Sequence, residues 1–130
     1  MIAIDTNLLL RLVLDDDAAQ QARVNALLKT GRLFTAPATV LLELVWVLQS
    51  RGFSAVHIVR GLTSLLEIPN FKPEHDIAIR EALHSYQSGM DFADALHLAL
   101  SSHHQKFMTF DKEFMRKAKK LGLHPEVALA

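Results

Sequence analysis

The sequence predicts an α/β fold, a single domain over residues 1–130 with a central parallel sheet of four or five strands and helices on both faces. Three observations lead there. Short runs rich in β-branched and aromatic residues, Met1–Ile4, Leu33–Thr35 and Lys106–Thr109, alternate with longer stretches of helical period. The first and last of these runs give way to an aspartate, Asp5 and Asp111. Hydrophobic residues make up 50% of the chain, enough for a real core and too many for a disordered one. A length of 130 residues fits one core and leaves no room for a second independent unit.

Taken in order, Met1–Ile4 reads as a strand covered on both sides, stopped at Asp5-Thr6-Asn7, residues that favour turns and helix starts. Leu8–Leu14 forms one or two buried helical turns. Asp17 caps a helix over Ala18–Lys29, with Ala22, Leu27 and Leu28 facing inward and Gly31 ending it. Leu33-Phe34-Thr35 is a short strand, and Pro37 marks its end. Ala38–Arg51 is a helix closed by Gly52, and Ser54 caps the next, Ala55–Glu67, despite Gly61 inside it. Ile68–Phe71 is a short strand weakened by Pro69, which lacks an amide donor. Pro73 and Glu74 introduce a helix to about Ser88, with Ile77, Leu83 and Tyr86 in the core. After Ser88-Gly89 come a helix over Asp91–Ser102, the strand Lys106–Thr109 and a helix over Lys112–Leu121 stopped by Gly122. Leu123–Val127 adds an edge strand, with Pro125 against it. No repeat, linker or low-complexity segment interrupts this order.

Fourteen basic and fourteen acidic residues cancel, so overall charge offers no general attraction for nucleic acid. The distribution is less even. Asp15-Asp16-Asp17 suits a helix N-terminus, and Lys112, Arg116, Lys117, Lys119 and Lys120 gather on the last helix, as a solvated face or a phosphate-binding edge. Cysteine is absent, which excludes disulfides and thiolate sites and suits a reducing cytosol. No signal segment or membrane span is expected, since the longest apolar run, Val40–Leu48, is short and contains Glu43. A cytoplasmic protein is the reading that follows.

The acids carry the candidate chemistry. Asp5 and Asp111 stand at the carboxyl ends of two strands, where open α/β sheets hold their ligands, although each also suits a helix cap. Glu43 sits in a helix apolar almost all round, so its carboxylate is expected to be buried and to need a partner. Asp91 and Asp94 project from one side of the opening turn of their helix; Asp91 suits a cap, whereas Asp94 lies deeper beside the apolar stripe of Phe92, Ala95, Leu96 and Ala99. His97 shares that side, either orienting Asp94 or resting as a boundary histidine. Carboxylates converging from Asp5, Glu43, Asp94 and Asp111 would repel, which makes such a pocket sensible mainly around a cation.

These residues, in this order and spacing, resemble a PIN domain, and specifically the small VapC-type ribonuclease toxins of toxin–antitoxin pairs. The resemblance covers nearly the whole chain: Asp5-Thr6-Asn7 matches the opening acid motif, Glu43 the helical glutamate, Asp94 within Asp91–His97 the third acid, and Asp111 after Thr109-Phe110 the fourth. It implies a metal-dependent endoribonuclease in which one or two Mg²⁺ or Mn²⁺ ions activate water against an RNA phosphodiester. Oxygen-only ligands suit those hard cations. On this reading Asp5, Glu43, Asp94 and Asp111 are catalytic metal ligands. Thr6, Asn7, Asp91, His97 and Thr109 support carboxylates or waters, and Arg11, Lys112 and Arg116 contact RNA. The resemblance further implies a homodimer and a VapB-like antitoxin inserting a peptide, with an arginine, into the active-site cleft. Two alternatives stand beside it. One is a non-catalytic PIN-like interaction protein. The other is an aspartate-based phosphoryl-transfer protein, disfavoured because Asn7 occupies the place of its second aspartate.

Overall fold

Parallel strand pairing forms in two places rather than one. The computed structural model describes residues 1–130, and the chain divides into two compact units, Met1–Asp76 and Ile77–Ala130. Each unit holds its own two-stranded parallel sheet, which corrects the expectation of one sheet of four or five strands. The physical reason is strand length. β1 (Ile2–Ala3) and β2 (Phe34–Thr35) are two residues each. The segment around Pro69 contributes only a single bridge, Phe34 to Phe71, because proline supplies no ladder donor.

In the first unit β1 pairs with β2 in the register Ile2 to Phe34 and Ala3 to Thr35, extended by the Ile4 amide donating to the Thr35 carbonyl at 2.8 Å. The chain then turns directly into α1 (Thr6–Val13), which packs against α2 (Ala18–Leu28), α3 (Ala38–Ser50) and α4 (Ala55–Leu66). Leu9, Leu10, Leu41, Leu44, Leu48, Ile58 and Leu62 close this core. Gly61 lets α4 approach α1: a Cβ there would stand 3.0 Å from Cγ1 of Val13. Ala22, expected inside, is exposed, and Val24 is the buried residue of α2. That helix covers the core with a narrow stripe only.

The end of α3 is closed as its sequence anticipates. Gly52 takes a left-handed conformation (φ 87°), its amide donates to the Gln49 carbonyl at 3.0 Å, and the Phe53 amide donates to Leu48 at 3.1 Å. This paired closure satisfies two carbonyls that the helix end would otherwise leave open, and it fixes where Phe53 emerges.

The second unit contains most of α5 (Asp76–Gln87), then α6 (Phe92–Leu100), β3 (Lys106–Thr109), α7 (Lys112–Lys120) and β4 (Glu126–Leu129). β3 and β4 pair in parallel across four residues, Lys106 to Glu126 through Thr109 to Leu129, with α7 as the crossover. β4 thus starts beyond the expected Leu123 and runs past Val127. Phe107 meets Phe114 of α7 at 5.5 Å between ring centroids, and Tyr86 meets Phe92 edge-on at 5.7 Å. Ile79, Leu83, Leu96 and Leu98 are buried with them. Ile77, expected in the core, is 73% exposed. It sits one residue into the helix, where the apolar face has not yet turned inward.

Candidate functional site

In the first unit the candidate residues are drawn together by α1. Asp5 caps that helix, its Oδ1 accepting from the Leu8 amide at 3.2 Å. The next residue, Thr6, is buried, and its hydroxyl donates to Oε1 of Glu43 on α3. Glu43 is itself exposed, which corrects its expected burial: the helix that carries it turns Leu41, Leu44, Val45 and Leu48 inward and leaves the Thr39, Glu43, Trp46 and Ser50 side to solvent. Asn7 and Asp5 line the mouth of a cavity of about 410 Å³ between α1 and α2, floored by Leu8, Val24 and Leu27. Arg11 is nearly buried and paired with Asp16, which also receives Arg51 at 3.1 Å. Asp16 therefore ties the α1–α2 connection both to α1, through Arg11, and to the end of α3, through Arg51, which explains the middle member of the aspartate run. Asp17 explains the last by capping α2.

In the second unit the acids gather around the start of α6. Asp91 caps it, accepting from the Asp94 amide at 3.1 Å. Asp94 stands in the first turn, half-buried, where the helix dipole favours a negative charge. Its carboxyl pKa is nevertheless raised, first by burial, then by the charges of Asp91 and Asp111, with His97 and Lys117 pulling the other way. Asp111 caps α7 through the amides of Glu113 and Phe114 at 2.9 and 3.1 Å, and its own amide donates to the Thr109 hydroxyl at 3.0 Å. Lys117, overlooked in the sequence as one of a basic run, donates to the Gly89 carbonyl at 2.9 Å and so lies beside this group. Arg116 is tied to Glu113 by two hydrogen bonds, while Lys112 is exposed.

The donor set does not fit the Mg²⁺ or Mn²⁺ that the resemblance implies. No group of three or more Asp, Glu, His or Cys side chains is placed to hold a metal ion. The carboxylates of Asp91, Asp94 and Asp111 do feel one another's charge, but Coulomb repulsion acts well beyond the roughly 2 Å of a metal–oxygen bond. Asp5, Asp91 and Asp111 each spend an oxygen on a helix N-terminus, and Glu43 accepts from Thr6. The expectation of a metal-dependent endoribonuclease, a hydrolase whose water is activated by one or two bound ions, is corrected accordingly.

The family itself is clear. A PIN-domain profile matches residues 2–120, and the chain belongs to the PIN domain family. No curated protein matches the chain. No helix is long and apolar enough to cross a membrane.

The apolar exposure was the feature least visible in the sequence. Val40, Leu44, Val47 and Leu48 of α3 and Val56, Val59 and Leu62 of α4 read as too apolar for solvent. Leu44, Leu48 and Leu62 are in fact absorbed by the core. What remains outside is Trp46, 66% exposed, with Phe53 and Val56 on the same α3–α4 hairpin. A tryptophan inside an unbroken apolar run gives no sign of its direction until the helix phase is set by Leu41, Leu44 and Leu48.

Proposed function

We propose that this chain is a non-catalytic interaction protein on the PIN fold, acting as one domain over residues 1–130 and related in role to the VapC side of a toxin–antitoxin pair. The observation that carries this is the exposed Trp46 on the α3–α4 hairpin, with Phe53 and Val56 beside it in the sequence of that hairpin. Large aromatic side chains left in water are the residues that anchor protein interfaces, because each removes much apolar area at little entropic cost. Asp5 and Glu43, both exposed, supply acceptors for a partner arginine, which pairs with a carboxylate in a bidentate, charge-assisted geometry. Asp94 and Asp111 offer the same chemistry in the second unit. Asn7, Thr6, Asp91, His97 and Thr109 hold or flank those acids.

The partners on this reading are a second copy of the chain and a small VapB-like protein presenting an apolar segment with an arginine. RNA is a third partner, bound without being cut; Lys112 is the expected contact that is free of an ion pair in the structure, since Arg11 and Arg116 are engaged by Asp16 and Glu113. The lack of cysteine agrees with a cytoplasmic setting.

Light scattering across a tenfold concentration range, on the unmodified chain and on Trp46→Ala, tests the reading. The unmodified chain should show a dimer mass that Trp46→Ala loses. A monomer mass for both throughout would overturn the role given to Trp46. RNA cleavage that rises with added Mn²⁺ would overturn the non-catalytic assignment.

A further inference from the structure

The exposed side of α4 carries a pattern of charge that is complementary to itself. Ile58, Leu62, Leu65 and Leu66 turn into the core of the first unit, while Val56, Arg60, Thr63, Ser64 and the closing residue Glu67 lie in water on the opposite side. Arg60 and Glu67 are seven residues apart. Two turns of helix separate them, so they share one side and stand about 10 Å apart along the axis. Neither side chain forms an ion pair or a hydrogen bond within the chain, whereas Arg11, Arg51 and Arg116 are each held by a carboxylate.

The surface between these two charges is low, and its hydroxyls are already bonded. Thr63 donates to the Val59 carbonyl at 2.7 Å, and Ser64 donates to the Arg60 carbonyl at 3.1 Å. Small side chains let a second helix come close. Hydroxyls that bond their own backbone leave no donor stranded when water is removed.

The midpoint between Thr63 and Ser64 is equally far along the chain from Arg60 and from Glu67. A two-fold axis through that point brings the arginine of each copy to the glutamate of the other, the self-complementarity that an isologous contact requires. Parallel helices would set arginine against arginine and glutamate against glutamate, so the charges also select the antiparallel direction.

We propose that α4 of one copy packs antiparallel against α4 of a second, centred between Thr63 and Ser64, with Arg60 of each copy paired to Glu67 of the other. The inference rests on the self-association of the α3–α4 hairpin read above, and it adds the residues that fix the direction and register of the two copies.

A charge exchange tests it, with the dimer constant of the full chain measured by sedimentation equilibrium. Arg60→Glu and Glu67→Arg should each weaken dimerisation about tenfold, because two attractions become two repulsions in every dimer. The double variant restores both pairs with their signs reversed, and its dimer constant should return to within about twofold of the original. Both positions are exposed, so urea midpoints should stay in place and a lost dimer cannot be assigned to unfolding. A dimer unchanged in both single variants, or one that the double variant fails to restore, would overturn this pairing and leave the role of Trp46 standing. A monomeric unmodified chain would overturn the self-association itself, and this pairing with it.

Discussion

The hydroxyl of Thr6, the first residue of α1, donates to the carboxylate of Glu43 in the middle of α3. This bond crosses from the buried base of one helix to the exposed side of another. It gives Thr6 of the opening motif and the helical glutamate a structural occupation. Thr6→Val keeps the shape and removes the donor, and should cost about 1 kcal/mol, since Glu43 can turn to water and recover part of the loss. Urea unfolding should show the midpoint falling with an unchanged slope, and Thr6→Ser should restore most of it. A midpoint for Thr6→Val equal to that of the unmodified chain would show the bond to be idle.

Asp94 is predicted to hold back stability at neutral pH. Its folded pKa is raised above 3.8, by burial first and by Asp91 and Asp111 next, so the folded state binds this proton more tightly than the unfolded chain does. The stabilising contribution of the proton is complete below 3.8 and is lost as pH rises through the raised value. At pH 7 the ionised form is therefore the strained one, and Asp94→Asn should raise the melting temperature. The side chain is partly solvated, which limits the gain to about 2 °C. Scans at falling pH should show the advantage shrinking, and a gain that grows toward acid would contradict the sign.

Gly61 sets the spacing between α4 and α1. Leucine at this position must displace Val13, whose Cγ1 is 3.0 Å from where the new Cβ would stand, and should destabilise the chain by about 1–3 kcal/mol. Val13→Ala makes room, so the double variant should lose less than the two single losses added together. Strict additivity in chemical denaturation would mean that the two helices part elsewhere.

Trp46→Ala should leave the isolated chain almost unchanged, within about 0.5 kcal/mol, because two thirds of the side chain is already in water. Self-association should fall in the same variant. The combination separates an interface role from a packing role: a large drop in the unfolding midpoint with association intact would assign Trp46 to the core instead.

The helices were legible because their signals are local. Asp17, Ser54 and Gly52 stand where capping chemistry puts them, and each does the expected bonding. The site was legible only as a set of residue types. Asp5 and Asp111 at strand ends can serve a ligand or a helix start, and spacing along the chain does not tell one use from the other. The structure shows the capping use in each case. Glu43 and Trp46 depended on the phase of α3, which a nearly continuous apolar run conceals. The sheet depended on strands of two residues, too short to carry a periodicity of their own.

The two strand pairs also differ in how early they can form. Lys106 meets Glu126 twenty residues on, and Ile2 meets Phe34 thirty-two residues on. Loop-closure entropy grows only with the logarithm of that separation, so it favours the shorter crossover by less than about 0.5 kcal/mol. The number of rungs matters more. Once closed, β3 and β4 gain four paired residues and β1 and β2 only two. The crossover of β3, α7 and β4 thus carries more of its own pairing, whereas the two rungs of β1 and β2 lean more on the packing of α1 against its helical neighbours.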